Sequence, residues 1–130
     1  MTDNLYPAVT RDLSHMRREL APDADAAFHE FGKAVFAEGA LSTKIKNVIA
    51  VAVAHVTQCP YCIRGHTRAA LREGATHEEL VEAIWVAAEM RAGGAFAHSI
   101  IAIAEMQDGA AAMANGHPAT APATGEHHGH

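Results

Sequence analysis

The stretch that decides the fold is residues 41–74, LSTKIKNVIAVAVAHVTQCPYCIRGHTRAALREG. Alanine loses no side-chain entropy in a helix, and proline is favoured in the first helical turn but disrupts a helix interior. The stretch therefore predicts two successive helices. The first has Ser42 as its N-cap, and the second begins at Pro60, with Cys59 as its N-cap, and ends before Gly74.

The first of these helices is apolar nearly all round. We expect its core-facing stripe to be formed by apolar residues at helical spacing, namely Ile45, Ile49, Ala52, Val53 and Val56. Other apolar residues widen this stripe until little of the helix is polar. A helix of this kind is buried on most sides, which in a chain of 130 residues predicts burial by another subunit.

The residues before this stretch also follow a helical pattern. Residues 12–38 place apolar side chains at helical spacing, and Pro22 is expected to break them into a short helix and a longer one. Hydrophobic residues make up 49% of the chain and aromatic residues only 5%. Since small side chains let helices pack closely, the sequence predicts an all-α fold, a compact bundle of about six helices.

The rest of the chain predicts two helices and a tail. Thr76 and Glu79 are spaced as a capping box, and Gly93-Gly94 is expected to separate the helix that it opens from a last one. The final segment is rich in Ala, Gly, Pro, Thr and His, and buries too little apolar surface to fold. We therefore expect one helical domain, residues 1–108, and a flexible tail, residues 109–130.

Charge and hydropathy exclude two classes of function. The formal net charge is −5, and no basic footprint for a phosphate backbone is visible, so we expect no nucleic-acid binding. The first sixteen residues lack the basic start and apolar core of a secretory signal. The longest apolar run, Val48 to Ala54, is too short to span a bilayer, so we expect no membrane partner and a cytoplasmic location.

The two cysteines carry the chemistry. In a reducing compartment a CxxC pair is typical of redox or metal chemistry rather than of a structural staple. Cys59, Cys62 and His66 fall within a stripe of about 60° on one helical face. A helix N-terminus stabilises a thiolate, and His66 is placed to take the proton from Cys62. The pattern predicts a redox-active disulfide in which one thiolate attacks and the other resolves, with no bound organic cofactor.

Zinc is an alternative interpretation of the same residues. His55, Cys59, Cys62 and His66 give the pattern H-x3-C-x2-C-x3-H, which holds four suitable ligands. On one continuous helix the outer two would lie about 16 Å apart, too far for tetrahedral binding. Only a sharp reversal near Gln58 would bring them together, so we expect no metal.

The segment CPYCIRGHTRAALREGAT, residues 59–76, is a specific signature, and residues 41–99 resemble the carboxymuconolactone decarboxylase family on its alkyl hydroperoxidase D-like side. The resemblance implies an all-helical homo-oligomer, often a trimer or hexamer. It also implies an antioxidant peroxidase or disulfide reductase that reduces hydroperoxides with electrons from a dithiol protein or a small thiol. Cys62 would attack the peroxide and Cys59 would resolve the intermediate.

One position departs from the family's pattern. The resemblance implies a relay glutamate twelve residues before the first cysteine, but that position is Asn47, whose amide can orient an imidazole and cannot shuttle protons. Glu89, in AAEMRAGGAFAHS, is the candidate to replace the relay glutamate. The further candidates beside the site are His55, Tyr61 and His98.

Two other functions remain open at this point. The disulfide state can change oligomer packing, which would make the protein a non-enzymatic thiol sensor or an assembly module. The family's decarboxylase branch implies a lyase that acts on a lactone. Since that branch does not use a cysteine pair as its working chemistry, CPYC favours thiol redox.

Overall fold

A computed structural model describes residues 5–116, and these form α-helices and no strand. The helices are α1 (Arg11–Leu20), α2 (Pro22–Phe36), α3 (Thr43–Thr57), α4 (Pro60–Arg72) and α5 (His77–Ala114). The all-α prediction is confirmed, with five helices among the described residues in place of about six. The chain divides into two units, Met1–Met90 and Arg91–His130.

Pro22 separates α1 from α2, as predicted, and occupies the first position of α2. Asp25, in the first turn of α2, ties the two helices together. Its carboxylate lies 3.8 Å from Nε of Arg17, 3.6 Å from Nε of Arg18 and 3.2 Å from Nδ1 of His29. The Asp25 side chain is only 10% exposed, so these groups replace water around its charge.

The ends of α3 and α4 are set by the predicted residues. Ser42 caps α3, since its Oγ accepts a hydrogen bond from the backbone N–H three residues on, at 3.1 Å. The chain leaves α3 through Gln58 in the left-handed conformation (φ 57°) and enters α4 with Cys59 as N-cap and Pro60 as the first residue. Gly74, with φ +93°, follows the end of α4, where a side chain would be strained.

The core lies where α3 and α4 meet the first turns of α5. It is formed by small and branched apolar side chains, Val51, Ala70, Ala75 and Leu80, with Val48 and Ile84 packed against them. Val51 and Ala70 are fully buried. Because Ala70 carries only a methyl group, α3 can approach α4 closely at this point.

The predicted core-facing stripe of α3 is wrong. Asn47, Val51 and Ala54 are the buried residues of this helix, whereas four members of the predicted stripe are between 43% and 51% exposed: Ile45, Ile49, Val53 and Val56. The physical reason is that α3 is apolar nearly all round, so its periodicity does not say which face meets α4.

The capping box that opens α5 is confirmed. The backbone N–H of Thr76 donates to Oε1 of Glu79 at 2.9 Å, and the N–H of Glu79 donates to Oγ1 of Thr76 at 3.1 Å. The predicted break at Gly93-Gly94 is wrong, since α5 runs through both residues without interruption. Glycine weakens a helix by about 1 kcal/mol per residue but does not end it, and the flanking alanines favour continuation.

The second unit begins within α5. Between Arg91 and Gly116 no residue is buried, and its large apolar side chains are exposed, with Phe96 at 82% and Ile100 at 66%. The helix continues to Ala114, and residues 117–130 of the expected tail lie outside the described part. Within that part no helix is long and apolar enough to cross a membrane.

Candidate active site

The cysteine pair sits at the N-terminus of α4. Cys59 and Cys62 are joined by a disulfide, with their Cα atoms 5.3 Å apart. The backbone N–H of Cys62 also points at the cap, with its nitrogen 3.2 Å from Sγ of Cys59. Once the disulfide is reduced, that N–H and the helix N-terminus stabilise negative charge on sulfur, as a thiolate requires.

His66 follows Cys62 by one helical turn, and its ring is held from the neighbouring helix. Oδ1 of Asn47 lies 3.0 Å from Nδ1 of His66, and Nδ2 of Asn47 lies 3.0 Å from the carbonyl oxygen of Thr43. Because a carbonyl oxygen only accepts, Nδ2 donates to it, and Oδ1 is left to accept from the ring. Nδ1 of His66 therefore carries a proton, and Nε2 keeps its lone pair in the neutral imidazole.

Phe36 holds the same ring from above. The Phe36 and His66 rings stack, with centroids 4.9 Å apart and planes 24° from parallel. Phe36 is the last residue of α2, and α3 fixes it in place. Oγ1 of Thr43 donates to its carbonyl oxygen at 2.8 Å, and Nζ of Lys46 donates to that of Ala37 at 2.6 Å. These bonds satisfy two of the carbonyls at the end of α2 and hold the backbone of Phe36 beside α3.

Cys62, His66 and Asn47 line one open cavity of about 700 Å³, which we call the dithiol cleft. The rest of its lining consists of aromatic residues, small residues, one basic residue and one acidic residue: Arg17, Phe28, Phe36, Thr43, Tyr61, Gly65, Ala69 and Glu73. Cys59 is not among the described residues that line it. The cleft therefore exposes one sulfur of the pair beside one imidazole.

Sequence reasoning missed seven residues of this cleft: Arg17, Phe28, Phe36, Thr43, Gly65, Ala69 and Glu73. The last three carried a usable signal, because Gly65 follows Cys62 by three residues, and Ala69 and Glu73 follow His66 by three and seven, which places them on the same side of α4 or at its C-cap. The other four come from α1, α2 and α3. No spacing rule connects them to the motif, since only the packing of the helices brings them near it.

Of the predicted site residues Tyr61 and Glu89, only Tyr61 lies at the cleft. Tyr61 lines the dithiol cleft, and its ring meets that of Tyr6 edge to face with centroids 6.1 Å apart. Glu89 is exposed on α5 and is not among the described residues that line the cleft. A role for Glu89 in the reaction therefore stays a prediction.

His55 and His98 each bond to their own helix. Nδ1 of His55 donates to the carbonyl oxygen four residues earlier at 2.7 Å, and Nδ1 of His98 does the same at 2.8 Å. Bonds of this kind satisfy a ring locally. In residues 5–116 no group of three His, Cys, Asp or Glu side chains is arranged to hold a metal ion. The zinc interpretation has no ligand set in that part of the chain.

The sequence profile of the carboxymuconolactone decarboxylase family matches residues 22–106, which contain the cysteine pair and both of its neighbours, Asn47 and His66. The chain belongs to the carboxymuconolactone decarboxylase family. The resemblance expected from the CPYC segment is thereby confirmed, and the cysteine pair is consistent with the alkyl hydroperoxidase D-like branch. The family includes enzymes, both decarboxylases and peroxidases.

Two related proteins each match more than half of the chain. One from Paracoccus denitrificans, named uncharacterized protein 4 in cox locus, is 54% identical over 108 residues, which are 83% of this chain and 96% of that protein. An uncharacterized protein of Cupriavidus necator is 40% identical over 72 residues, 55% of this chain and 64% of that protein.

Two crystal structures share the fold. A protein from Methanobacterium thermoautotrophicum has a TM-score of 0.61 at 38% identity, covering 64% of this chain and 93% of its own. A carboxymuconolactone decarboxylase family protein from Legionella pneumophila has a TM-score of 0.57 at 34% identity, covering 62% of this chain and 75% of its own. The helical architecture is therefore that of the family.

Proposed function

We propose that this family member is a thiol-dependent peroxidase and disulfide reductase that reduces small hydroperoxides through Cys59 and Cys62. One observation carries the proposal: Cys62 and His66 line the same cleft, and Asn47 holds Nδ1 of His66 so that Nε2 keeps its lone pair. A thiol beside a base with a fixed tautomer is the arrangement that nucleophilic sulfur chemistry needs.

The proposed peroxidase cycle has three steps. His66 takes the proton of the Cys62 thiol, and the thiolate attacks the terminal oxygen of the hydroperoxide. The O–O bond breaks, Cys62 becomes a sulfenic acid, and the protonated His66 returns its proton to the leaving alkoxide, which departs as an alcohol. The thiol of Cys59 then attacks the sulfenic sulfur, which forms the disulfide and releases water. A dithiol protein or small thiol supplies two electrons and two protons to reduce the disulfide.

No bound organic cofactor is part of this proposal, since the disulfide itself carries the two electrons. A cytoplasmic location suits it, because reductants of the cytoplasm keep such pairs reduced. Here Asn47 orients the ring, whereas the glutamate implied by the resemblance would also relay protons. We therefore place proton exchange with solvent at His66 itself, through the open cleft.

We also propose that the working form is a homo-oligomer, a trimer or hexamer. The support is the amount of apolar surface that a single chain leaves in water. In the second unit the exposed large apolar side chains include Phe96, Ile100, Ile101, Met106 and Met113. Monomers rarely expose contiguous apolar patches of more than a few hundred Å², so surfaces of this kind mark protein interfaces. Light scattering on the wild type should give three or six times the chain mass, and a monomer at micromolar concentration would contradict this.

The test of the proposed function follows the consumption of tert-butyl hydroperoxide with dithiothreitol as reductant. The wild type should turn over, and Cys62→Ser should fall to the uncatalysed rate. Cys59→Ser is the matched variant: without added thiol it should consume one peroxide per chain and then stop, with a sulfenic acid that dimedone traps. Equal slow rates for wild type and Cys62→Ser would refute peroxidase activity.

The same variants separate the other functions. A change in oligomer size on oxidation, without peroxide turnover, would identify a thiol sensor or assembly module. Lactone decarboxylation that survives the loss of both cysteines would identify the lyase. Each of these outcomes contradicts the proposed function.

A further inference from the structure

Arginine side chains line the dithiol cleft and the cleft that adjoins it, and the proposed reaction does not use them. Arg17 lines the dithiol cleft. Arg64 and Arg68 line an adjoining cleft of about 280 Å³ that shares Tyr61 and Gly65 with it. Cationic side chains therefore line both of the clefts that share Tyr61 and Gly65.

Two of these arginines, Arg64 and Arg68, form no ion pair among the described residues. Both side chains are exposed on α4, four residues apart, so they are neighbours on one helix face and repel each other. Glu73 is the one acidic residue that lines either cleft among residues 5–116.

The positive charge of these arginines is opposite in sign to the net charge of the whole chain. The formal net charge is −5, so an anion approaching most of the surface is repelled. The cleft beside Tyr61 offers it two unpaired guanidinium groups, each able to bind a carboxylate through two parallel hydrogen bonds. A surface that is locally positive on a negative protein favours anionic ligands at this position.

We propose that Arg64 and Arg68 bind the carboxylate of a low-molecular-weight anionic thiol or disulfide and so present its sulfur to the dithiol in the adjoining cleft. This inference rests on the proposed function and names the class of its sulfur co-substrate. Tyr61 forms the wall common to both clefts. Arg17, whose Nε also lies 3.8 Å from the Asp25 carboxylate, adds positive charge in the dithiol cleft.

The exchange balances without any further reactant. The Cys62 thiolate attacks one sulfur of the small disulfide. One half of that disulfide is released as a thiolate, and the other half stays in a mixed disulfide with Cys62. The Cys59 thiolate then attacks Cys62, which forms the intramolecular disulfide and releases the second thiolate. The protein gives up two electrons and two protons in all, and the reverse sequence reduces the protein with two anionic thiols.

The experiment compares an anionic with a neutral disulfide probe. The full chain is reduced, freed of excess reductant, and mixed by stopped flow with dithiobis(nitrobenzoate), which carries two carboxylates, or with dithiodipyridine, which is neutral. The double variant Arg64→Gln, Arg68→Gln should react about tenfold more slowly with the anionic probe, which is at the lower end of the effects of electrostatic steering on association rates. Its rate with the neutral probe should be unchanged. Added salt should slow only the anionic reaction of the wild type.

The matched control is Arg72→Gln. Arg72 is exposed one turn further along α4 and lines neither cleft. Its replacement removes one positive charge, as each substitution in the double variant does, and should leave both rates unchanged. An equal loss of rate with both probes in the double variant, an equal loss in the control, or no loss at all would overturn the inference. A wild type that reacts with neither probe would instead overturn the proposed function, and the inference with it.

Discussion

The pair of helices α3 and α4 and the second half of α5 differ in how they are stabilised. The pair shares a core around Val51 and Ala70, both fully buried, and Asn47 of α3 is hydrogen-bonded to His66 of α4. From Arg91 to Ala114, in the second unit, no residue is buried in the single chain. The dithiol site is thus a product of packing within one chain, whereas residues 91–116 of the second unit expose apolar surface and contain no buried residue.

This difference separates chemistry from assembly. A site built inside one helical pair needs no other subunit to place its cysteines and imidazole. A helix with bare apolar side chains is stabilised by what covers them rather than by its own sequence. Changes in the first region should therefore affect reactivity or chain stability, and changes in the second should affect the oligomer.

The largest expected effect comes from placing charge on the second unit. In the double variant Phe96→Asp, Ile100→Asp, two carboxylates stand where 82% and 66% exposed apolar side chains were. Burying unpaired charge in an interface is prohibitive, so we expect the oligomer to dissociate completely. Light scattering should show the change from an oligomeric to a monomeric mass.

The matched control adds a charge at a polar position of the same unit, Gln107→Asp, and should keep the wild-type mass. The Phe96→Asp, Ile100→Asp variant should still reduce dithiodipyridine within about twofold of the wild-type rate, since the site lies in the other unit. Loss of the dithiol reaction with retained helicity would break the separation between the two regions.

The next effect is on reactivity and involves Asn47. Asn47→Ala removes the acceptor for Nδ1 of His66, so both ring orientations and tautomers become available. We expect peroxide turnover to fall about tenfold, part of the 10²–10⁴ that a positioned base contributes. Asn47→Asp should restore the orientation and also stabilise the protonated ring, so the rate should require a higher pH. Steady-state rates from pH 5 to 9 measure both effects, and an unchanged rate and pH profile in Asn47→Ala would remove its positioning role.

Much of the fold could be predicted from local signals. Pro22, the Cys59-Pro60 step, Gly74 and the Thr76–Glu79 box each fix a helix end by chemistry that acts within a few residues. For the same reason, spacing alone predicts that Cys59 is the N-cap of α4 and that His66 lies one turn beyond Cys62. Those features required no knowledge of tertiary packing.

What the sequence did not determine depends on packing between helices. An α3 that is apolar on every side gives no direction for its buried face, so Val53 was expected inside and is 51% exposed. Gly93-Gly94 looks like a connection, but a glycine pair is tolerated in a helix when the residues on either side favour it. Phe36 reaches His66 only because α2 ends beside α3, which no pattern within α2 reveals.

A smaller effect tests the core of the helical pair. Val51→Ala empties space at a fully buried position and should lower the free energy of unfolding by about 2 kcal/mol. Val53→Ala, two residues along the same helix, removes the same atoms from a half-exposed side chain and should cost less than about 1 kcal/mol. Urea denaturation at several protein concentrations compares them. An equal cost at the lowest concentration would mean that α3 packs through its other face.

The smallest effects lie at the capping box, between the two regions. Thr76→Ala removes the oxygen that accepts the N–H of Glu79 and should cost about 1 kcal/mol at any pH. Glu79→Gln should be milder, because an amide oxygen can still accept the N–H of Thr76. The substitution removes only the negative charge of the carboxylate, whose Oε1 lies 3.1 Å from Nζ of Lys44.

The pH dependence distinguishes these two variants. The backbone N–H of Thr76, and then Lys44, lower the pKa of Glu79 below its ordinary value of 4.5. A lowered pKa means that the ionised carboxylate stabilises the folded state above that ordinary value, and that this contribution disappears as the pH falls through the lowered pKa. The Tm difference between wild type and Glu79→Gln should therefore be constant from pH 7 to about pH 5 and should disappear as the pH falls through the lowered pKa of Glu79. The Thr76→Ala difference should persist over the whole range, and a Glu79→Gln difference that also persists in acid would show that the cap acts through geometry and not through charge.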